Sequence, residues 1–216
     1  VYGEMKVKGQ YITGSKAPYT NAMVQAKGLS FFWNQWGGEN QWKAHIVDKM
    51  VDEYKAEVLR VAVSTSSGGK YADLNSAAEV INRSIERGIY IIIDFHSHYA
   101  WGERDEAKQF FKNAVEWYGD YDNVIFETFN EPVTDEPHNW SGVREYHDEI
   151  VKYIRDLGSD NLIIAGTPCY DQVFEGIKDD PVKDPANNIV YAMHYYSYTH
   201  KVDDDWLGKN FKVALK

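Results

Sequence analysis

Short apolar runs that favour β-strands alternate with longer amphipathic stretches along this chain, at a repeat of about 33 residues. Six such runs occur, at 23–32, 57–65, 90–97, 123–130, 161–168 and 189–196. Helical patterns lie between them, near 43–56, 73–87, 104–118, 141–156 and 171–178, and Ser141 is the expected cap of the fourth helix. The alternation predicts an α/β fold of βα units around a parallel sheet.

Polar and ionisable side chains gather where these predicted strands end. They are Arg60, Asp94, His96, His98, Asn130, Glu131, His194 and Tyr196. A doubly wound sheet would concentrate such residues at one or two loops, whereas in a β/α barrel nearly every strand contributes to the site. The distribution therefore favours a (β/α)8 TIM barrel.

A closed barrel of this kind needs eight strands, and only six βα units can be recognised. After the sixth strand, residues 203–216 leave room for one more helix at most. We therefore expect residues 1–216 to form one domain, with an N-terminal segment at 1–22 followed by βα units 1–6. Units 7–8 are expected in a C-terminal segment or a second chain that completes the barrel.

Charge and aromatic content narrow the class of ligand. The formal net charge is -10, which argues against nucleic acid or an anionic membrane as a partner. No 18-residue apolar run predicts a membrane span. The chain contains 7 Trp, 16 Tyr and 9 Phe, and exposed aromatic faces stack on sugar rings and on flat apolar ligands.

The stretch NVIFETFNEP at 123–132 is an apolar strand that ends in Asn130, Glu131 and Pro132. Proline cannot continue a β-ladder, so the strand is expected to stop there. A carboxyl at that point is partly desolvated, which raises its pKa and suits Glu131 to general acid catalysis. From the residues alone, a loop or capping acid remains an equal alternative, because Asn-Glu-Pro is also good turn chemistry.

This stretch resembles the signature of glycoside hydrolase family 5, whose members are retaining β-glycanases on a β/α barrel. The resemblance implies that Glu131 is the acid/base and that Asn130 binds the sugar 2-hydroxyl. It assigns catalytic-site positions on three other strands to Arg60, His96, His194 and Tyr196. It is closest to the endoglucanase (cellulase) branch, which implies a secreted enzyme that cleaves cellulose-type β-1,4-linked polysaccharide and uses no cofactor or metal.

Two further segments carry the resemblance into the substrate cleft. VQAKGLSFFWNQWGG at 24–38 resembles the first strand and loop of that branch and places Trp36 on a sugar-stacking tryptophan. GTPCYDQ at 166–172 resembles a GTPTWSQ pattern and places Tyr170 on a second stacking position. The residues expected to line the rest of the cleft are Trp33, His98, Tyr99 and Trp101.

The resemblance also identifies a residue that this sequence does not contain. A retaining enzyme needs two carboxyl groups about 5–5.5 Å apart, one as acid/base and one as nucleophile. The family nucleophile is a glutamate on strand seven, to which Tyr196 is expected to donate a hydrogen bond. Asp94 and Glu127 are the other strand carboxylates, and we expect both to be structural, with Glu127 paired to Arg60.

Two other classes of function compete with this interpretation. His96 and His98 lie on one face of a strand and could bind a metal with Glu131 or His194, although barrel amidohydrolases carry such a pair on the first strand. A barrel without a nucleophile could instead be a non-catalytic carbohydrate-binding protein. Within the enzyme interpretation, mannan, xylan and mixed-linkage glucan are the alternative substrates.

Overall fold

The computed structural model describes residues 1–65, 73–133 and 140–196, and a parallel sheet of six strands lies at its centre. An N-terminal hairpin contributes β1 (Met5–Lys8) and β2 (Tyr11–Gly14). The sheet consists of β3 (Gly28–Ser30), β4 (Val58–Ser64), β5 (Tyr90–His96), β6 (Val124–Glu127), β7 (Ile163–Ala165) and β8 (Ile189–Tyr191). Each strand pairs in parallel with the next one along the chain. This sequential order is that of a β/α barrel wall, and the predicted fold class is confirmed.

In the described ranges, four α-helices of nine residues or more connect the strands and pack on one side of the sheet. They are α1 (Ala44–Asp52), α2 (Ala78–Glu86), α3 (Arg104–Tyr118) and α4 (Trp140–Asp156). A 3-10 turn at Leu74–Ala77 leads into α2, and the Asp73 side chain caps it by accepting from the backbone N–H of Asn75. In the described part of the chain, no helix has both the length and the apolar character needed to span a membrane.

The strand residues alternate between the helical layer and the barrel interior, because successive side chains of a strand point to opposite faces. Leu59, Val61 and Val63 of β4 are buried in the main core cluster, which also contains the apolar faces of the helices. The interior positions are apolar near the amino ends of the strands, where Tyr90 and Ile125 pack together. They become polar toward the carboxyl ends, and this polar layer positions the candidate site.

The N-terminal hairpin covers the amino ends of the strands. The sequence alone predicted no structure for this segment, residues 1–22. Met5 joins the apolar cluster of the barrel interior. The backbone N–H of Val7 donates to Asn188 Oδ1 at 2.9 Å, and Lys6 Nζ donates to Asp160 Oδ2 at 2.8 Å. These contacts fix the hairpin against the loops that precede β7 and β8.

Two predicted elements are wrong. Residues 171–178 are not a helix: Pro168–Asp171 forms one turn with left-handed residues, and Gly176 has a φ of 85°. Phe174 and Ile177 are spaced as on a helix, but they anchor an irregular loop to the core. Ser141 does not cap α4, because the helix already begins at Trp140. The possible last helix at 203–216 lies outside the described residues.

The predicted strands have the right order, but several are longer than the observed ones. The run at 23–32 contains only the three residues of β3, and the run at 189–196 contains only the three of β8. At the carboxyl ends, backbone groups bond to side chains and loops instead of to a neighbouring strand. An example is the N–H of His194, which donates to the carbonyl oxygen of Asp171 at 2.8 Å.

Candidate active site

Arg60 of β4 is the charged centre of the polar layer inside the barrel. Its Nε and Nη2 donate to the two carboxylate oxygens of Glu127, each at 2.7 Å, and Nη2 also lies 2.7 Å from Asp94 Oδ2. Burial alone would lower the pKa of Arg60, but Asp94 and Glu127 outweigh burial and raise it, so the guanidinium stays charged. The predicted pairing of Glu127 with Arg60 is confirmed, and both carboxylates are buried in this ion cluster.

Asn130 follows β6 and is oriented by the same arginine. Arg60 Nη2 donates to Asn130 Oδ1 at 2.9 Å. Because a guanidinium can only donate, this bond identifies the oxygen of the amide and leaves Nδ2 as its donor. Asn130 Nδ2 is buried and has no hydrogen-bond partner among the described residues.

His96 ends β5 and contacts both the ion cluster and Trp33, which lies in the loop after β3. Its Nδ1 lies 2.6 Å from Asp94 Oδ2, and its ring centroid lies 4.3 Å from that of Trp33. His96 Nε2 is buried and, within the described ranges, has no hydrogen-bond partner. The carboxylate therefore fixes one ring nitrogen and leaves the other available to a ligand that enters the barrel mouth.

Glu131 lies immediately after Asn130 and accepts two hydrogen bonds on the same oxygen. His194 Nδ1 is 2.7 Å from Glu131 Oε1, and the Tyr196 hydroxyl donates to that oxygen at 2.5 Å. Burial raises the pKa of Glu131, but the bonds from His194 and Tyr196 and the charges of His194 and His98 outweigh it, so the pKa is lowered. The raised pKa that the sequence predicted for Glu131 is therefore wrong among the described residues. The prediction counted desolvation but not the donors His194 and Tyr196 from the segment after β8.

The Tyr196 hydroxyl donates to Glu131 Oε1 in the structure. Its expected bond to the nucleophile stays a prediction, because the strand-seven glutamate is not among these residues. Partial burial and the bond to Glu131 raise the pKa of Tyr196 to about 12, so the hydroxyl remains a donor at neutral pH.

The predicted substrate-binding residues fall into two groups. Trp33, His98 and Tyr170 come together, because the ring of His98 lies 5.6 Å from that of Trp33 and 6.3 Å from that of Tyr170. Trp36 and Tyr99 lie on the adjoining loops with 69% and 58% of their surface exposed.

Trp101 belongs to neither group. Its ring packs 4.9 Å from the buried ring of Phe129 and 5.9 Å from that of Tyr99. Trp101 is therefore a support for the loop after β5.

Sequence reasoning missed two residues that shape the site. Asp171 is fully buried and accepts a hydrogen bond from the backbone N–H of Glu131 at 3.0 Å. Asn34 accepts from both the backbone N–H and the hydroxyl of Ser64, at 2.8 and 2.7 Å, and so ties the Trp33 loop to the end of β4. Asp and Asn are common in turns, so the sequence gives no reason to assign either residue to the site. The one indication was that each lies just beyond the end of a strand.

The geometry does not favour the metal-binding alternative. His96 Nδ1 is bonded to Asp94, His98 Nδ1 lies 3.1 Å from the carbonyl oxygen of Glu131, and the two ring centroids are 6.2 Å apart. Across the part of the chain that the structure describes, no three His, Cys, Asp or Glu side chains are grouped so as to hold a metal ion.

Comparison with known proteins gives consistent matches. Residues 16–215 match the family described as cellulase (glycosyl hydrolase family 5). Endoglucanase Z of Dickeya dadantii is 35% identical over 197 residues, which cover 88% of this chain and 45% of that protein. Endoglucanase A of Evansella cellulosilytica is 36% identical over 186 residues, which cover 82% of this chain and 37% of that protein. The chain thus spans less than half the length of these two relatives.

Among solved structures, a GH5 cellulase from an Icelandic hot spring isolate is 26% identical and superposes with a TM-score of 0.85. The match covers all of this chain and 69% of that one. The family match, the relatives and the barrel wall agree, and we conclude that this chain belongs to glycoside hydrolase family 5, the cellulases.

Proposed function

We propose that the protein containing these residues hydrolyses internal β-1,4 bonds of cellulose-type polysaccharide with retention at the anomeric carbon, and that Glu131 is the acid/base. The observation that carries this proposal is the setting of the Glu131 carboxyl, largely buried at the carboxyl end of β6 and held by His194 and Tyr196. Two bonds on one oxygen fix the orientation of the carboxyl, as a directed proton transfer requires.

In the first step Glu131 donates its proton to the glycosidic oxygen while a second carboxylate attacks the anomeric carbon. The bond to the leaving sugar breaks, and a glycosyl ester with that carboxylate forms. In the second step Glu131 takes a proton from water, the water oxygen attacks the anomeric carbon, and the ester bond breaks. The nucleophile is expected on barrel strand seven, which is outside the six strands of this sheet.

The pKa of Glu131 is lowered by its described neighbours, which do not include the expected nucleophile. A nucleophilic carboxylate placed about 5–5.5 Å away adds a negative charge, which raises the pKa of a neighbouring acid and favours its protonated form before the first step. Esterification neutralises the nucleophile and removes that effect, which favours ionised Glu131 in the second step.

The remaining site residues have proposed roles in binding the sugar. Asn130 Nδ2 and His96 Nε2 are buried polar atoms without described partners, and each can bond to a sugar hydroxyl. Arg60 holds the amide of Asn130 in the orientation that presents Nδ2. We assign stacking and lining of the cleft to the remaining predicted residues, which are Trp36, Tyr170, Trp33, His98 and Tyr99.

We further propose that residues 1–216 belong to one catalytic domain and that the enzyme acts outside the cell, because a polymeric substrate does not enter it. The substitution Glu131→Gln tests the proposal, in the protein expressed from its complete coding sequence. We expect a large loss of kcat/KM on carboxymethylcellulose and a much smaller loss on an aryl cellobioside with a good leaving group, which needs little protonation.

Glu116→Gln is the matched control for that experiment, because Glu116 is exposed on α3. It should leave both rates unchanged. Equal losses on the two substrates in Glu131→Gln would remove Glu131 as the acid, and an inverted product in the proton NMR spectrum would contradict the mechanism. If mannan, xylan or mixed-linkage glucan were hydrolysed faster than carboxymethylcellulose, that polysaccharide would be the substrate in place of cellulose. Binding of polysaccharide without hydrolysis would favour the carbohydrate-binding alternative.

A further inference from the structure

Asp171 links the ends of β6 and β7 through backbone hydrogen bonds to its side chain. Its Oδ1 accepts from the N–H of Thr167 at 2.6 Å, and its Oδ2 accepts from the N–H of Glu131 at 3.0 Å. The residue is completely buried. One carboxylate thus fixes the backbone position from which the proposed acid projects.

The backbone on both sides of this link is strained. Glu131 has a φ of 49°, and Cys169, Tyr170 and Asp171 have φ values of 59°, 60° and 60°. Residues other than glycine adopt this left-handed region only when the surrounding structure compels them. A second bond joins the two segments, because the N–H of Tyr170 donates to the carbonyl oxygen of Pro132 at 3.0 Å.

The ring of His194 lies between Asp171 and Glu131. Its Nδ1 is 2.7 Å from Glu131 Oε1, and its Nε2 is 3.5 Å from Asp171 Oδ2. The imidazole therefore has a carboxylate on each side, and the backbone N–H of His194 donates to the carbonyl oxygen of Asp171. Among the described residues, Glu127, Arg60 and Tyr196 also act on this pair, and the charge of His98 acts on Glu131.

Charge and burial shift the pKa values of both members of this pair. Burial lowers the pKa of His194, but the bond to Glu131 and the charges of Asp171 and Glu127 outweigh it, so the pKa is raised. Burial also raises the pKa of Asp171 to about 7, against the opposing effects of His194 and the two N–H donors. The Asp171 carboxylate, when ionised, therefore favours the charged form of His194, next to the oxygen of Glu131 that the ring contacts.

We infer that Asp171 is a positioning residue, which fixes the backbone of Glu131 through its N–H and, when ionised, favours a charged His194, and thereby influences the charge state of the proposed acid/base. The inference rests on the proposed function for the role of Glu131, but not for the contact between Asp171 and His194. A charged His194 stabilises ionised Glu131, so its loss should allow Glu131 to keep its proton to higher pH.

Asp184 provides a matched control for a role that is only structural. Asp184 is also a buried carboxylate that accepts from loop N–H groups, those of Ala186 at 3.1 Å and Asn188 at 2.7 Å. It lies before β8, at the opposite end of the strands from Glu131. Asp184→Asn should weaken the fold without changing the titration of the site.

The experiment compares Asp171→Asn with Asp184→Asn in the protein expressed from its complete coding sequence. The titration midpoint of the His194 ring is followed by NMR, with its signal assigned by its loss in His194→Gln. In Asp171→Asn we expect the midpoint to fall by about one pH unit, because an opposite charge nearby shifts a pKa by that order. The alkaline limb of the kcat/KM profile should move to higher pH. Neither quantity should change in Asp184→Asn.

The outcomes separate this inference from the proposed function. If Glu131→Gln behaves as proposed but Asp171→Asn changes neither the midpoint nor the profile, the inference is wrong and the function stands. If Glu131→Gln retains activity on both substrates, a lowered midpoint would still show that Asp171 controls His194. Asp171→Ser serves as a second neutral variant if the asparagine variant does not fold.

Discussion

Two buried clusters of arginine and carboxylate lie at opposite ends of the strands, and they differ in how completely their polar atoms are paired. At the amino end, Arg155 bonds to both oxygens of Asp184 and to the carbonyl oxygens of Ser159, Asn161 and Asn188. At the carboxyl end, Arg60 bonds to Glu127, Asp94 and Asn130.

The cluster around Arg60 leaves some of its polar atoms unpaired. Of the five buried side-chain atoms without a hydrogen-bond partner among the described residues, three lie in this cluster: Asp94 Oδ1, His96 Nε2 and Asn130 Nδ2. A buried polar atom without a partner costs about 1–3 kcal/mol, so a fold tends to retain such atoms where a ligand supplies the missing bond. The comparison therefore distinguishes a cluster that stabilises the fold from one that is prepared for a substrate.

The largest expected effect is that of removing each arginine. Arg60→Met and Arg155→Met should each lower the free energy of unfolding by about 3–5 kcal/mol, because each leaves a buried carboxylate without its partner. Only Arg60→Met should also lower kcat/KM of the folded fraction, by about a hundredfold, because Asn130 and Glu127 lose their positions. Urea unfolding and kinetics on the folded fraction measure the two effects. A comparable loss of activity in Arg155→Met would contradict the assignment of the Arg155 cluster to stability and of the Arg60 cluster to the substrate.

A smaller effect is expected when each cluster loses its asparagine. Asn161 Nδ2 donates to the carbonyl oxygens of Tyr121 and Val124, so Asn161→Ala should cost about 1–3 kcal/mol of stability and leave kcat unchanged. Asn130→Ala removes one bond to Arg60 and an unpaired amide nitrogen, so it should cost less stability and still reduce kcat/KM. If Asn130→Ala proved the more destabilising variant, Nδ2 would have an unrecognised partner.

The smallest effect is a pair of opposing pH dependences. Burial lowers the pKa of His147 to about 4, so the unfolded chain binds more protons between about pH 4 and 6.5, and His147 makes stability rise with pH there. Burial raises the pKa of Asp171 to about 7, so the folded chain binds more protons between about pH 4 and 7, and Asp171 makes stability fall as pH rises.

Unfolding midpoints measured at pH 5 and pH 7 separate these two contributions. Asp171→Asn should gain stability relative to the parent protein as the pH rises, whereas His147→Gln should lose it. If both variants kept the pH dependence of the parent protein, burial would shift neither the pKa of Asp171 nor that of His147.

Much of this architecture could be predicted from sequence, because it depends on patterns that repeat. The strand order followed from six apolar runs. The position of Glu131 at a strand end followed from the apolar run before it and Pro132 after it, whereas its role as acid/base came from the family resemblance and stays a proposal. The pairing of Arg60 with Glu127 was also predictable, since a mid-strand carboxylate inside a barrel needs a cation.

The features that sequence missed depend on contacts between distant segments. The lowered pKa of Glu131 comes from His194, 63 residues away, and from Tyr196, 65 residues away. Asp171 reads as a turn residue until its carboxylate is seen to accept the N–H of Glu131. The irregular loop at 171–178 has helical spacing of apolar residues, but the left-handed backbone at 169–171 and at Gly176 excludes a helix.

The N-terminal hairpin is synthesised long before the residue that it bonds to. Val7 bonds to a residue 181 positions later, and the side chain of that residue, Asn188, donates back to the carbonyl oxygen of Met5. At ribosomal rates of about 5–20 residues per second, the hairpin waits roughly 10–40 seconds before its partner is made. Closure of the amino end of the barrel by this hairpin therefore has to follow the synthesis of Asn188.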